Sequence, residues 1–425
     1  MATLITEESA QKILANALPA RMLIDGECVP SRSGETFHKF NPATETLIAE
    51  IPAGGVQEID EAVAAARAQF DHGEWSRVSN RERARMLFRL ADLMERDTEI
   101  LSVLQVLESG QPLYEPLGKD IPLSVEIMRY YAGWADKVHG SVIPLPSANG
   151  RPAHAYTVRE PVGVLGMFIP WNGQTMIAAW KLAPALATGC TVVIKPSEEG
   201  QLALLHLGKL IAEAGLPDGV VNIVTGLGAT AGAALSSHPY IDKVSFTGSP
   251  ETGRRVHQAA GTNFTPVTLE LGGKGPQIIW PDADIEHAVK MAAVGVFANQ
   301  GQICGAGSRI LVHRSIYDRV TEELGDRANR IKLGTPFDES TQMGALINAN
   351  QMNRVLGYID SGREEGARVV AGGERAREVG YFVQPTIVDE ATPDMAIARD
   401  EIFGPVVAVL PFETEEDAVR IANDT

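Results

Sequence analysis

The sequence predicts an α/β protein with a doubly wound parallel sheet, a second α/β domain and a projecting β-hairpin. Stretches with helical periodicity alternate with short runs rich in β-branched residues, which is the pattern of strands covered by helices. The runs are too short and too apolar to be surface strands. At 425 residues the chain exceeds one compact core, so at least two domains are expected.

Two stretches show helical periodicity most clearly. In residues 56–70 the apolar side chains recur at intervals of 4, 3 and 4 residues, which places them on one face of a helix. Residues 204–214 repeat this pattern, and Gly215 and Pro217 then form a C-terminal stop.

Short apolar runs lie between these helices, and their length and composition favour buried parallel strands. They cover residues 162–169, 191–194, 220–226 and 243–248. The alternation of strand and helix over residues 158–270 is typical of a doubly wound nucleotide-binding sheet.

Residues 137–157 have a different character. Two extended pieces flank the turn sequence Asn149-Gly150, which predicts a projecting β-hairpin, although an ordinary surface hairpin fits the pattern equally well. The predicted division is therefore into a first domain, a hairpin and a second domain: residues 1–136 with 158–269, then 137–157, then 270–425.

Composition excludes several classes of protein. Lys+Arg 37 against Asp+Glu 54 gives a net charge of −17, which argues against nucleic acid as a partner. The N-terminus lacks the apolar core of a signal peptide, and no window of 18 apolar residues predicts a membrane span. The three cysteines are far apart and form no CxxC pair, so neither disulfides nor a metal site are predicted. We therefore expect a cytoplasmic protein.

One thiol and one carboxylate lie in unusually glycine-rich surroundings. Cys304 is flanked by small residues in NQGQICGAGSR, so its sulfur is expected to be accessible, as a nucleophile must be. Glu270 lies in TLELGGKGP and could act as a general base for the thiol or for water. A lone cysteine is more often a small buried apolar residue, and that interpretation is preferred for Cys28 and Cys190.

Three further stretches could bind a nucleotide or stabilise an oxyanion. Gly248 and Ser249 lie where a strand turns into a helix, a place suited to phosphate, although most such turns bind nothing. Lys195 and Glu198 lie just past a strand end and could bond ribose hydroxyls, but a solvated charge pair is the simpler interpretation. The amide of Asn172 follows a strand and could face a developing oxyanion. GLGATAG, residues 226–232, is better explained as a helix-capping loop than as a dinucleotide motif.

Six short motifs occur in order along the chain. They are PWN (170–172), KPSE (195–198), FTGS (246–249), LELGGK (269–274), GQICGAGSR (301–309) and EIFGPV (401–406). Together they closely resemble the NAD(P)-dependent aldehyde dehydrogenase superfamily of the non-acylating type. The resemblance runs from about residue 20 to the last residue and is dense from 155 to 310.

The resemblance implies a mechanism for three residues. Cys304 would attack an aldehyde carbon to give a thiohemiacetal, and loss of hydride to the nicotinamide would leave a thioester. Asn172 and the backbone N–H of Cys304 would form the oxyanion hole. Glu270 would activate the water that releases the acid.

It also implies that NAD is the cofactor, with NADP less favoured because Glu198 would repel a 2′-phosphate. Lys195 and Glu198 would hold the adenosine ribose, and Gly248 and Ser249 the pyrophosphate. The remaining residues implied for cofactor binding are Ile169, Trp171, Gln351, Glu401 and Phe403.

The chain departs from the family pattern in two places. Gly173 stands where relatives carry a bulky side chain that lines the substrate tunnel, so a wider tunnel is expected, with Ile177 and Trp180 at other tunnel positions. Relatives also continue for several dozen residues beyond Thr425, so the catalytic domain is expected to be C-terminally incomplete. A chain ending there is expected to bind NAD but to assemble poorly and oxidise aldehydes weakly. With the missing segment present, a homodimer or homotetramer is expected, and the resemblance implies that the hairpin of residues 137–157 serves this oligomerisation by docking against a partner subunit.

Two alternatives remain at this point. An acylating relative would pass the thioester to coenzyme A, but such enzymes typically lack the glutamate found here at Glu270. A truncated, inactive member of the family, retained for binding, is the second.

Overall fold

The computed structural model describes residues 5–146 and 151–425, so the Asn149-Gly150 turn lies outside the described residues. The helices are α1 (Glu7–Ala17), α2 (Val56–Asp71), α3 (Asn80–Arg96), α4 (Thr98–Ser109), α5 (Ile121–Ala132), α6 (Gln174–Ala187), α7 (Leu202–Glu213), α8 (Ala233–Ser236), α9 (Pro250–Gly261), α10 (Ile285–Phe297), α11 (Tyr317–Asn329), α12 (Ala349–Glu364), α13 (Ala396–Arg399) and α14 (Glu415–Ala422). The strands are β1 (Met22–Ile24), β2 (Glu27–Val29), β3 (Thr36–Phe40), β4 (Leu47–Pro52), β5 (Val142–Ile143), β6 (Ala155–Tyr156), β7 (Val164–Ile169), β8 (Thr191–Pro196), β9 (Val221–Ile223), β10 (Lys243–Thr247), β11 (Val267–Glu270), β12 (Pro276–Ile279), β13 (Arg309–His313), β14 (Arg368–Ala371), β15 (Thr386–Asp389) and β16 (Val406–Phe412).

The larger sheet has seven strands in the order β11-β10-β7-β8-β9-β1-β2. The five strands from β11 to β9 are parallel, and β1 and β2 extend that sheet in the antiparallel sense. All four predicted strands are present in it. The chain leaves β7 toward β8 on one side and later returns to β10 on the other, so the strand order reverses beside β7. Ligands of such sheets bind in the crevice at that point.

Helices cover both faces of this sheet, which confirms the doubly wound arrangement. Successive residues of β7 point to opposite faces, so Met167 packs among side chains of α3, α5, α6 and α7 while Phe168 packs among those of α2, α8 and α9. Every residue of β7 and β8 is buried. The edge of the sheet that carries their carboxyl ends is therefore held rigidly.

The second sheet has the order β12-β13-β16-β15-β14, in which only the β14–β15 pair is antiparallel. The predicted hairpin is present as the antiparallel pair β5–β6, with Val142 opposite Tyr156. Its side chains are largely exposed, 71% for Val142 and 64% for Tyr156. Among the described residues, no helix is long and apolar enough to cross a membrane.

The prediction for one cysteine was wrong. Cys190 is buried as expected, but Cys28 is exposed. Cys28 lies in β2, which is the outermost strand of the larger sheet and has a partner on one side only. Residue type alone did not reveal this position at the sheet edge.

Glu108 is a fully buried carboxyl that holds the start of α7. It accepts hydrogen bonds from the backbone N–H groups of Gln201 and Leu202, at 2.8 and 3.0 Å. Burial raises the pKa of Glu108 to about 7, although these two bonds and the charge of Lys39 oppose the shift. The folded state therefore holds a proton on this group between about pH 4.5 and 7 that the unfolded chain releases.

We expect this raised pKa to make part of the stability depend on pH. The contribution is fully present below about pH 4.5 and is lost as the pH rises through about 7, up to about 3 kcal/mol. Glu108→Gln has no such proton to lose, so the difference in thermal midpoint between wild type and variant should favour the wild type more at pH 5 than at pH 8. Scanning fluorimetry across this range measures it, and a constant difference would contradict the assignment.

Candidate active site

Two adjoining cavities open at the carboxyl ends of the strands in the larger sheet, beside β7. Their volumes are about 450 and 580 Å³, and both are lined by Pro170, Trp171 and residues 247–249. The larger contains the predicted adenosine-side residues Ile169, Lys195 and Glu198, together with Trp171, Gly248 and Ser249. The smaller contains Trp171, Asn172, Gly248, Ser249, Glu270, Cys304, Gln351, Glu401 and Phe403. Folding thus brings all twelve predicted residues to one continuous cleft.

The loop that carries the thiol has an unusual backbone. Asn299, Gln300 and Gly301 are consecutive residues in the left-handed region, with φ of 46°, 55° and 72°. Only glycine fits at position 301, since a Cβ there would lie 2.1 Å from the carbonyl oxygen of Gly404. After this turn the chain presents Cys304 as an exposed thiol, and a Cβ added at Gly305 would meet nothing within 4 Å. The accessibility expected from the sequence is confirmed.

The amide of Asn172 is fixed against this loop. Its Nδ2 donates to the backbone carbonyl oxygen of Gln302 at 2.9 Å. The backbone carbonyl oxygen of Asn172 in turn accepts a hydrogen bond from Nδ2 of Asn299 at 2.9 Å. Asn172 lies between the end of β7 and the start of α6, so one side of the loop is anchored to a fully buried strand of the sheet. This rigid placement beside the thiol loop is what an oxyanion donor requires.

Glu270 is the last residue of β11, and its exposed side chain faces the cavity that Cys304 also lines. The neighbouring glycines make room for a second carboxylate, because a Cβ at Gly272 would lie 1.9 Å from the Glu401 carboxyl. The N–H of Gly273 donates to Glu401 at 3.3 Å. Burial raises the pKa of Glu401, and this N–H bond partly offsets the shift.

Lys195 and Glu198 differ in burial. The sequence placed both just past a strand, but Lys195 is part of β8 and 4% exposed, because β8 continues to Pro196. The solvated-pair interpretation is therefore wrong for Lys195, whose Nζ lies 3.3 Å from Glu198. Glu198 also accepts the N–H of Gly228, the first residue of a π-helical turn formed by GLGATAG before α8. The segment is therefore a helical turn that runs into α8 and not a separate capping loop, and Gly228, Ala229 and Gly232 line the larger cavity.

The sequence also placed Ser249 correctly, as the N-cap residue of α9. Its hydroxyl accepts the backbone N–H of Thr252, and the first turn of α9 opens into the larger cavity. Gln351, by contrast, uses its side-chain amide within the protein: Nε2 donates to the carbonyl oxygens of Ile402 and Phe403, at 3.0 and 2.8 Å. These bonds hold Phe403 at a φ of 58°, with its ring edge-on to Trp171 at 5.2 Å.

The cleft contains polar groups that the protein itself leaves free for a nucleotide. Among the described residues, the buried hydroxyl of Thr247, at the junction of the two cavities, has no hydrogen-bond partner. Lys195, buried beside Glu198, can donate to more groups than this one carboxylate. These groups and the open first turn of α9 fit a cofactor with a diphosphate between two riboses.

Sequence reasoning missed two lysines near the cleft, the partly buried Lys181 and the buried Lys274. Lys181 of α6 donates to the carbonyl oxygens of Phe168 and Ser245, both at 3.1 Å. Burial lowers the pKa of Lys181 to about 7, against the opposing charge of Glu270. Burial, with a smaller contribution from Arg309, likewise lowers the pKa of Lys274 to about 7, and its Nζ has no hydrogen-bond partner. A lone cation in the otherwise apolar stretch TMIAAWKLAPALA was the available signal for Lys181.

The fold has a doubly wound sheet with a cleft at its switch point, and an accessible thiol lines that cleft. These features are typical of a nucleotide-dependent enzyme. Comparison with known families agrees: residues 28–425 match the model of the aldehyde dehydrogenase family. The chain belongs to that family.

Characterised relatives support the membership. The chain is 46% identical to cytosolic aldehyde dehydrogenase 1 of Mus musculus over 95% of its own length and 80% of the relative's. It is 46% identical to human retinal dehydrogenase 2, again over 95% of the chain and 78% of the relative.

Solved structures agree in fold. The NAD+ complex of aldehyde dehydrogenase from Bacillus cereus has a TM-score of 0.96 at 46% identity, and the match covers 100% of this chain and 85% of that one. Betaine aldehyde dehydrogenase from Staphylococcus aureus in complex with NAD+ has a TM-score of 0.94 at 39% identity, covering 99% of this chain and 83% of that one.

Proposed function

We propose that this enzyme oxidises a small-molecule aldehyde to the carboxylic acid through a covalent adduct on Cys304, with NAD as the oxidant. The observation that supports this most is that Cys304, Glu270 and Asn172 line one cavity although they come from three separate segments. The NAD+ complexes of its structural relatives and the free polar groups of the cleft support the choice of cofactor.

Cys304, Asn172 and Glu270 each have a separate role in this reaction. The Cys304 sulfur attacks the aldehyde carbon, and the carbonyl oxygen that gains charge is stabilised by the amide of Asn172 and the backbone N–H of Cys304. This attack gives a thiohemiacetal, and bound NAD would supply the acceptor for its hydride. Glu270 removes a proton from the water that attacks the remaining thioester, which releases the acid and restores the thiol.

A direct assay tests the proposal. Purified protein with NAD and an aldehyde should form NADH and the corresponding carboxylic acid in equal amounts. Repeating the reaction with coenzyme A tests for acyl transfer, which would appear as a thioester product instead of the acid. Absence of NADH formation with every aldehyde tested would refute the proposed oxidation.

Cofactor choice provides a sharper prediction. Glu198 accepts hydrogen bonds from the ribose hydroxyls, so a 2′-phosphate would bring like charges within a few ångströms, at a cost of about 1–4 kcal/mol. We expect kcat/KM for NAD to exceed that for NADP at least about tenfold. Glu198→Gln should narrow the ratio of the two kcat/KM values, whereas Glu126→Gln, on the exposed face of α5 and outside both cavities, should leave that ratio unchanged. An equal preference in the wild type would contradict the role of Glu198.

Gly173 provides a prediction about substrate size. A Cβ there would meet Met176 at 3.4 Å and Ile177 at 3.8 Å, both ordinary contact distances, so a methyl group fits beside Ile177, which lines the cavity. Trp180, the other predicted tunnel residue, is instead exposed and does not line this cavity. Gly173→Phe should therefore lower kcat/KM for bulky aldehydes at least about tenfold relative to acetaldehyde, while Gly173→Ala should keep the wild-type ratio. An unchanged ratio in Gly173→Phe would place the tunnel elsewhere.

The hairpin of β5 and β6 supports association with a second copy, as a homodimer or homotetramer. Its apolar side chains, Val142 and Tyr156 among them, are more exposed than those of a strand pair that lies on its own domain. Sedimentation of the wild type against a variant in which Val142 and Tyr156 are both changed to serine tests this association.

A cytoplasmic location is proposed by analogy with the cytosolic mouse relative.

A further inference from the structure

The left-handed turn before Cys304 is a strained segment that other contacts must hold in place. Asn299 and Gln300 have side chains and yet adopt φ of 46° and 55°. Residues other than glycine in this conformation are strained and persist only where their surroundings determine the conformation. The question is which group outside the loop does so.

That group is the side chain of Glu115, which lies in the helical turn of residues 114–115 that leads through a π-helical turn, Pro116–Asp120, into α5. Its Oε1 accepts the backbone N–H of Asn299 at 2.9 Å, across a separation of 184 residues. Burial raises the pKa of Glu115 to about 7, with the charge of Asp120 adding to the shift and the Asn299 N–H opposing it. A carboxyl in so unfavourable an environment needs a compensating contact, and this N–H provides it.

The bond to Glu115 continues into the site through the side chain of Asn299. Its Nδ2 donates to the carbonyl oxygens of Asn172 and Gln302, at 2.9 and 3.3 Å. Nδ2 of Asn172 donates to the same oxygen of Gln302. Three side chains thus form one continuous path from the carboxyl to the loop, and Cys304 lies two residues beyond Gln302.

We infer that Glu115 is a positioning residue that sets the placement of the Cys304 thiol relative to the Asn172 amide by holding Asn299 in its left-handed conformation. Glu115 is not among the residues that line either cavity of the cleft. Its effect belongs to the chemical step, so this inference rests on the proposed function. The tests below use one readout that depends on aldehyde oxidation and one that does not.

The kinetic test compares two variants at the same position. Glu115→Gln keeps an oxygen that can accept the Asn299 N–H and should retain kcat within about threefold of the wild type. Glu115→Ala removes the acceptor, and a displacement near 1 Å should lower kcat between about tenfold and a hundredfold with the KM for NAD changed less than about twofold. Wild-type kcat in Glu115→Ala, or equal losses in both variants, would overturn the inference.

The second readout is the rate at which iodoacetamide alkylates Cys304, followed by peptide mass spectrometry. Cys28 is exposed in the same chain and far from the site, so it serves as the internal control. Glu115→Ala should change the Cys304 rate several-fold and leave the Cys28 rate unchanged, while Glu115→Gln changes neither. A wild type that oxidises no aldehyde would refute the proposed function alone, whereas an unchanged Cys304 rate in Glu115→Ala would overturn the positioning role.

Asn299→Gly provides the independent variant should Glu115→Ala fail to fold. Glycine adopts the left-handed conformation without strain but lacks the amide that reaches Asn172. We expect its kcat to fall at least about tenfold, and adding Glu115→Ala to cost less than about a further twofold, because both changes interrupt one path. Undiminished kcat in Asn299→Gly, or losses that multiply in the double variant, would overturn the inference.

Discussion

Cys304→Ala is expected to lose at least about a thousandfold in aldehyde-dependent NADH formation while NAD binding is retained. The thiol forms the covalent adduct, and the groups proposed to hold the cofactor lie on β7, β8, α9 and the loop before β16. Steady-state absorbance at 340 nm measures the first effect, and fluorescence titration with NAD measures the second.

The other two cysteines provide matched controls. Cys28→Ala changes an exposed thiol and Cys190→Ala a buried one, and neither lines the cleft. Both variants should keep wild-type turnover. Activity that survives in Cys304→Ala would refute the covalent mechanism, whichever cofactor is used.

Glu270→Gln is expected to form close to one NADH per active site in a rapid burst and then to turn over about a hundred to ten thousand times more slowly than the wild type. Glutamine keeps the shape of the side chain but cannot take a proton from water, so the thioester on Cys304 accumulates. Stopped-flow absorbance records the burst, and mass spectrometry of the quenched protein identifies the acylated cysteine.

Glu126→Gln is the control for this change, because Glu126 is exposed on α5 and lies outside both cavities. It should show neither burst nor slow phase. An unchanged steady-state rate in Glu270→Gln would mean that another group activates the water. A rate lowered without any burst would mean that Glu270 acts before hydride loss, on the thiol itself.

The sequence predicted the central strands and helices of the fold because each of them can be recognised from a short stretch of sequence. Each parallel strand around β7 is a short apolar run between periodic helices, and the glycines beside Cys304 and Glu270 are readable directly. The antiparallel strands β1 and β2 were not predicted, since their place beside β9 depends on a pairing across most of the domain. Cys28 is exposed because β2 pairs with β1 at the edge of the sheet. The failure to predict these two strands therefore also explains the wrong prediction for Cys28.

The residues of the site that belong to motifs were predictable from the sequence, but the residues that hold them in place were not. Glu115 and Lys181 belong to no motif, and their importance comes from burial and from partners distant in the chain. Left-handed φ at Asn299 and Gln300 is likewise imposed by tertiary contacts, because neither residue type requires it. Gln351 matched a motif position, yet its amide holds the backbone beside Phe403, which a pattern of letters does not distinguish from contact with a ligand.

The path from Glu115 through Asn299 to Asn172 also bears on how the molecule reaches its native state. Its bonds join residues 184, 127 and 130 positions apart, so none of them can form until long stretches of chain have collapsed together. Contacts of such high sequence separation form late, after local helices and hairpins. A nascent or partly folded chain therefore carries Cys304 as an ordinary, unassisted thiol. Before the last loops dock, an aldehyde can add to this thiol only reversibly, as a thiohemiacetal, because no positioned nicotinamide is present to take the hydride.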